Sequence, residues 1–71
     1  MAKLPSFTPK KLIKKLKSLG FIEDHKTGSH LVMYNPKTKR RAVIAYHLKD
    51  IPKGTLSSLL KEAGISKEEL S

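Results

Sequence analysis

Three histidines, His25, His30 and His47, are the side chains in this 71-residue chain that change charge near neutral pH without strong perturbation. The chain has no cysteine, which removes thiol chemistry, thiolate zinc sites and a disulfide framework. Three imidazoles could ligate zinc, but their spacing gives neither an HxH nor an HExxH pattern, and no metal site is expected. Glu23 and Asp24 are neighbours on a strand candidate, so their carboxylates point to opposite faces and cannot share a cation. The same alternation separates Ser29 from His30. A serine nucleophile activated by that imidazole is not expected, because no acid is placed to orient the ring.

One reaction does suit a lone histidine on an open basic surface: cleavage of RNA. The nucleophile is then the substrate's own 2′-hydroxyl, and the protein need not supply one. An imidazole of ordinary pKa, about 6.5, can accept that proton at physiological pH. Lysines stabilise the charge that grows on the phosphate. The alternative is that His30 is an ordinary surface histidine beside a glycine turn. Composition and spacing leave both readings open.

Charge favours a polyanionic partner. Fifteen Lys+Arg against six Asp+Glu give a net charge of +9. Residues 1–61 hold fourteen of the basic and three of the acidic side chains, so the positive potential belongs to them. Lys10, Lys11, Lys14, Lys15 and Lys17 form one cluster. Lys37, Lys39, Arg40 and Arg41 form a second, with Lys49 and Lys53 beyond it. Phe7, Phe21, Tyr34 and Tyr46 are the aromatic residues. None sits in an RNP-type motif, so base stacking is not the expected main mode of binding.

The longest apolar run, Ala42 to Tyr46, is five residues, against about 20 for a membrane span. No membrane association is expected. Lys3, Pro5 and Ser6 interrupt the N-terminus before a secretory signal can form. The expectation is a single cytoplasmic domain over residues 1–71. A core this small supplies only about 3–5 kcal/mol of net stability. It leaves no layer for a deep cavity, so no small-molecule cofactor is expected and any chemistry belongs on an open face.

The elements that must position the histidines follow from periodicity. Thr8 is a good N-cap with Pro9 at the first helical position, and Phe7 and Leu12 have hydrophobic-staple spacing. Leu12, Ile13, Leu16 and Leu19 make one apolar stripe, which Gly20 ends. Strand candidates are Phe21–Lys26, Ser29–Tyr34 and Arg40–Tyr46, with turns at Thr27-Gly28 and around Asn35-Pro36. A second helix carries Leu56, Leu59, Leu60 and Ala63 and stops at Gly64; it starts either at Pro52 or with Thr55 as its cap. Ser66 and Glu69 have capping-box spacing for a last short turn. The result is an α+β fold of order α-β-β-β-α, with two helices on one face of a three-stranded antiparallel sheet.

Register decides where the histidines point. If Tyr34 pairs with Arg41, then His30 faces Ala45, and His47 shares its face as a diagonal neighbour roughly 7–8 Å away at Cα. A slip of one residue sends His47 to the other face. The first register is preferred because it gathers Leu31, Met33, Ala42 and Ile44 on one helix-covered face.

Gly20-Phe21, Gly28-Ser29-His30, a strand running to His47, Lys53-Gly54-Thr55-Leu56 and Lys61-Glu62-Ala63-Gly64-Ile65 follow one another in order along the chain. In these motifs it resembles the HicA toxins over nearly its whole length. The resemblance implies a fold like a double-stranded-RNA-binding domain, ribonuclease activity on mRNA and a HicB-type antitoxin covering the His30 face. It assigns catalysis to His30 and a second position to His47, where Ala45 replaces the family's proline. His25 has no counterpart. Gly28 allows a positive φ and brings backbone amides toward the phosphate path. Ser29 either hydrogen-bonds turn backbone or touches RNA, and Lys26 flanks the site in sequence. The rival readings are a non-catalytic RNA-binding module and a protein-docking module.

Overall fold

Thr8 begins the first helix as its sequence demands. Its backbone is extended, and its hydroxyl accepts a 3.2 Å hydrogen bond from the Lys11 amide, with Pro9 next in the chain. Helix α1 runs Pro9–Ser18 and buries Leu12 and Leu16 completely, while Ile13 and Leu19 pack against the core from its margin. The chain leaves α1 through Gly20 at φ +102°, which lets the Phe21 amide bond back to the Leu16 carbonyl at 3.0 Å. The computed structural model describes residues 6–70. Lys3 and Pro5, the outermost ends of the 1–71 domain and any leader lie outside the described residues.

Strands β1 (Ile22–Thr27), β2 (His30–Asn35) and β3 (Arg40–Ala45) form one antiparallel sheet in the order β1-β2-β3. The strand candidates are right in number and order and differ by a residue at several ends. Phe21 is a core residue outside the ladder, and Ser29 belongs to the turn. The preferred register holds: Tyr34 pairs with Arg41, and His30 with Ala45. Leu31 and Met33 therefore lie beside Ile44 and Ala42, all at most 3% exposed beneath the helices.

Register shifts once in β1, between Glu23 and His25, leaving Asp24 as an unpaired bulge residue. The shift turns Glu23 to the helix side, where its carboxylate lies 2.7 Å from the Lys17 ammonium. Beyond β3, helix α2 (Lys53–Ala63) brings Leu56, Leu59, Leu60 and Ala63 into the same core as α1. Pro52, not Thr55, stands at its N-cap, and the Leu56 amide donates to the Pro52 carbonyl at 2.8 Å. Gly64 ends it at φ +70°. The capping box opens α3 (Lys67–Leu70), where the Ser66 amide and hydroxyl both donate to Glu69 Oε1. Both long helices cover one face, and the other face of the sheet is open.

Candidate active site

The open face is built by alternation. His25, Thr27, His30, Val32, Tyr34, Arg41, Val43 and Ala45 share it, because each pairs across the ladder with another member of the set. His30 is the first residue of β2 and is solvent-exposed, directly across from Thr27 on one side and Ala45 on the other. Two residues past Ala45, His47 returns to the same face and is exposed as well. The two imidazoles meet edge to face, with ring centroids 6.1 Å apart and planes at 70°.

A two-residue turn, Gly28-Ser29, joins Thr27 to His30. Gly28 takes φ +58°, as expected for so short a link, and has open space where a Cβ would stand. Tyr46 grips this turn twice. Its amide donates to the Ser29 carbonyl at 3.1 Å, and its hydroxyl donates to the Gly28 carbonyl at 2.6 Å. The Ser29 hydroxyl makes no hydrogen bond among the described residues, so it is the serine's backbone that serves the turn.

Lys26 stands apart from this group. It pairs with core-facing Leu31, which puts it on the helix side of the sheet, and its ammonium lies 5.7 Å from the centroid of the Tyr46 ring. There it borders a groove of about 310 Å³ between α1 and the sheet, together with Lys10, Ile13 and Tyr46. His25 shares the open face but engages Asp24, Nδ1 to Oδ2, at 2.9 Å. Among the described residues no group of three His, Cys, Asp or Glu gathers as metal ligands.

Charge is divided between the faces. The lysines of α1 lie in the helix layer, across the sheet from His30, while Arg41 lies over the Tyr34 ring at 5.5 Å on the open side. The Lys17 ammonium, by hydrogen bond first and charge second, holds the Glu23 carboxyl below the ordinary glutamate value, with a smaller pull from Lys26. Of the residues singled out in the sequence, Gly28, Ser29, His30 and His47 come together at one end of the sheet. Tyr46 was not among them. Its signal is positional: it is the residue that extends β3 opposite the turn.

Two exposed imidazoles this close can serve one phosphodiester, since hydrogen bonds of about 2.9 Å from each ring span such a separation. One ring can take a proton while the other gives one. Among the described residues no helix is long and apolar enough to cross a membrane. No curated protein matches the chain. A family model for the HicA toxin of bacterial toxin-antitoxin systems matches residues 9–65, a span that begins with α1, includes the turn, both imidazoles and the whole of α2, and covers well over half of the 71 residues. The chain belongs to the HicA toxin family.

Proposed function

We propose that this toxin is an endoribonuclease that cleaves mRNA in the cytoplasm by histidine catalysis without a metal ion, and that a HicB-type antitoxin neutralises it. The observation that carries this reading is the exposed His30–His47 pair with centroids 6.1 Å apart. His30 takes the proton of the ribose 2′-hydroxyl, whose oxygen attacks the adjacent phosphorus. The bond from phosphorus to the 5′-oxygen breaks as that oxygen receives a proton from His47 in its imidazolium form. The products are a 2′,3′-cyclic phosphate and a free 5′-hydroxyl. The Gly28-Ser29 turn beside His30, and Arg41 on the open face, are proposed to contact the phosphate backbone.

The antitoxin is proposed to cover the open face. Ile22 and Val43 are about half exposed there, and the chain's positive charge favours an acidic partner. The test is decay of a defined RNA in EDTA by the purified protein and by His30→Ala. Loss of general acid–base catalysis should slow cleavage by about 10²–10⁴-fold. Equal decay by the two proteins would end the catalytic reading.

A second reading draws on the placement of the α1 lysines across the sheet from His30. They could hold RNA without any cleavage, as in a non-catalytic RNA-binding module. Retention of structured RNA with intact ends, equally by wild type and His30→Ala, would select it.

A further inference from the structure

We propose that Tyr46 is a positioning residue, whose hydroxyl locks the turn carrying His30 to the segment carrying His47. This rests on the reading of those two histidines as the catalytic pair. The ladder between β2 and β3 ends at His30 and Ala45, so each imidazole sits at a point where sheet hydrogen bonding gives out. His30 follows a turn that pivots on glycine, and His47 lies in a segment outside any regular element. Left to the ladder alone, neither ring would be fixed against the other.

Tyr46 supplies the missing tie from both of its ends. Its amide adds one more rung, to the Ser29 carbonyl, and its hydroxyl reaches over the turn to the Gly28 carbonyl at 2.6 Å. Those two carbonyls belong to the residues immediately before His30, and Tyr46 immediately precedes His47. One side chain therefore spans the two segments with no residue between it and either histidine's neighbourhood. The ring is itself held, with the Lys26 ammonium over it at 5.7 Å and Ile13 and Leu31 along the same groove. Lys26 thus belongs to the site through Tyr46, from behind the sheet.

Tyr46 is 40% exposed, too much for its hydroxyl to be a core requirement. Tyr46→Phe keeps the ring, the Lys26 contact and the amide bond, and removes only the bond to Gly28. Single-turnover cleavage of a defined RNA should slow about tenfold with KM unchanged, below the roughly 10²-fold that a 1 Å misplacement costs. The thermal midpoint should stay within a degree or two of wild type. Ring-proton cross-peaks between His30 and His47, read by NMR without substrate, should weaken. A cleavage rate within twofold of wild type with unchanged cross-peaks overturns the proposal. So does a rate loss that comes with a lowered midpoint and unchanged cross-peaks. If His30→Ala cleaves as fast as wild type, the nuclease reading fails by itself, and the cross-peaks still decide whether Tyr46 sets the pair.

Discussion

The rings of His30 and His47 meet edge to face with centroids 6.1 Å apart, on a row that strand register sets and at a point where Tyr46 ties the two segments together. Pairing of His30 with Ala45 fixes the row, and two residues of alternation return His47 to the same face one rung farther on. Neither ring packs in the core. Register sets the face and row of both positions, so the backbone placement of each is expected to survive substitution of the other side chain.

That independence makes the pair testable as a unit. His47→Ala is expected to lower the cleavage rate by about 10²-fold or more while leaving the fold intact. The double variant with His30→Ala should be scarcely slower than His30→Ala alone, because groups that act in one proton relay are not additive. Single-turnover rates of the four proteins check this. Multiplying penalties would show that His47 acts outside the relay.

Asn35 is the buried polar side chain among the described residues, 5% exposed. Its Nδ2 donates to the Leu19 carbonyl at 3.4 Å and its Oδ1 accepts from the Lys37 amide at 3.0 Å. One amide group thereby ties the end of α1 to the β2–β3 turn. Asn35→Ala should cost about 1–3 kcal/mol, since both partners lose their bond. In a domain of this size each kcal/mol is worth about 4–8 °C of thermal midpoint. Asn35→Asp keeps the acceptor and should fall between the two. Melting curves of the three proteins decide it, and identical midpoints would remove the tie.

What was legible in the sequence was what repeats locally. Leu31, Met33, Ala42 and Ile44 alternate cleanly, so the register and the shared face of His30 and His47 could be read in advance. The helix stops were legible too, because Gly20 and Gly64 both take positive φ. The start of α2 was ambiguous because Thr55 has the better capping side chain, yet the chain turns helical after Pro52, whose fixed φ suits the entry without any side-chain cap. Asn35 reads as a turn residue, and its burial depends on Leu19, a partner distant in sequence. Lys26 is close to the site in sequence and on the other face in space. Tyr46 was hidden for a similar reason: strand alternation assigns its side chain to the helix side, and only the three-dimensional path of the ring brings its hydroxyl back over the turn.

The bulge at Asp24 has an electrostatic consequence that can be titrated. Because Lys17 stabilises the Glu23 carboxylate in the folded chain, the Glu23 value lies below the ordinary one. A depressed folded value means that the pair contributes stability above the unfolded carboxylate range and loses it as pH falls through the folded value. Both side chains are about half exposed, so the thermal effect is small and weakens with salt. A carboxyl-carbon NMR titration should place the Glu23 midpoint below the ordinary glutamate value, and Lys17→Ala should raise it most of the way back, the smaller pull of Lys26 remaining. An unmoved midpoint in that variant would mean that Lys17 is not the cause.

The α1 lysines offer the last separation, between holding RNA and cutting it. Lys11 and Lys14 are exposed in the helix layer, across the sheet from the histidine pair. They stand on the opposite side of the sheet from the proposed reacting groups, so their expected effect on cleavage passes through affinity. Lys11→Gln with Lys14→Gln should raise KM and leave the single-turnover rate at saturating RNA unchanged. If both lysines contact phosphates, the slope of log affinity against log salt should fall by about 0.7 for each one removed, the value for a single strand. An unchanged slope and KM would make these lysines an ordinary solvated helix face and confine RNA binding to the open side of the sheet. A fall in the saturated rate would place the substrate path around the edge of β1, bringing α1 and His30 into contact with one RNA.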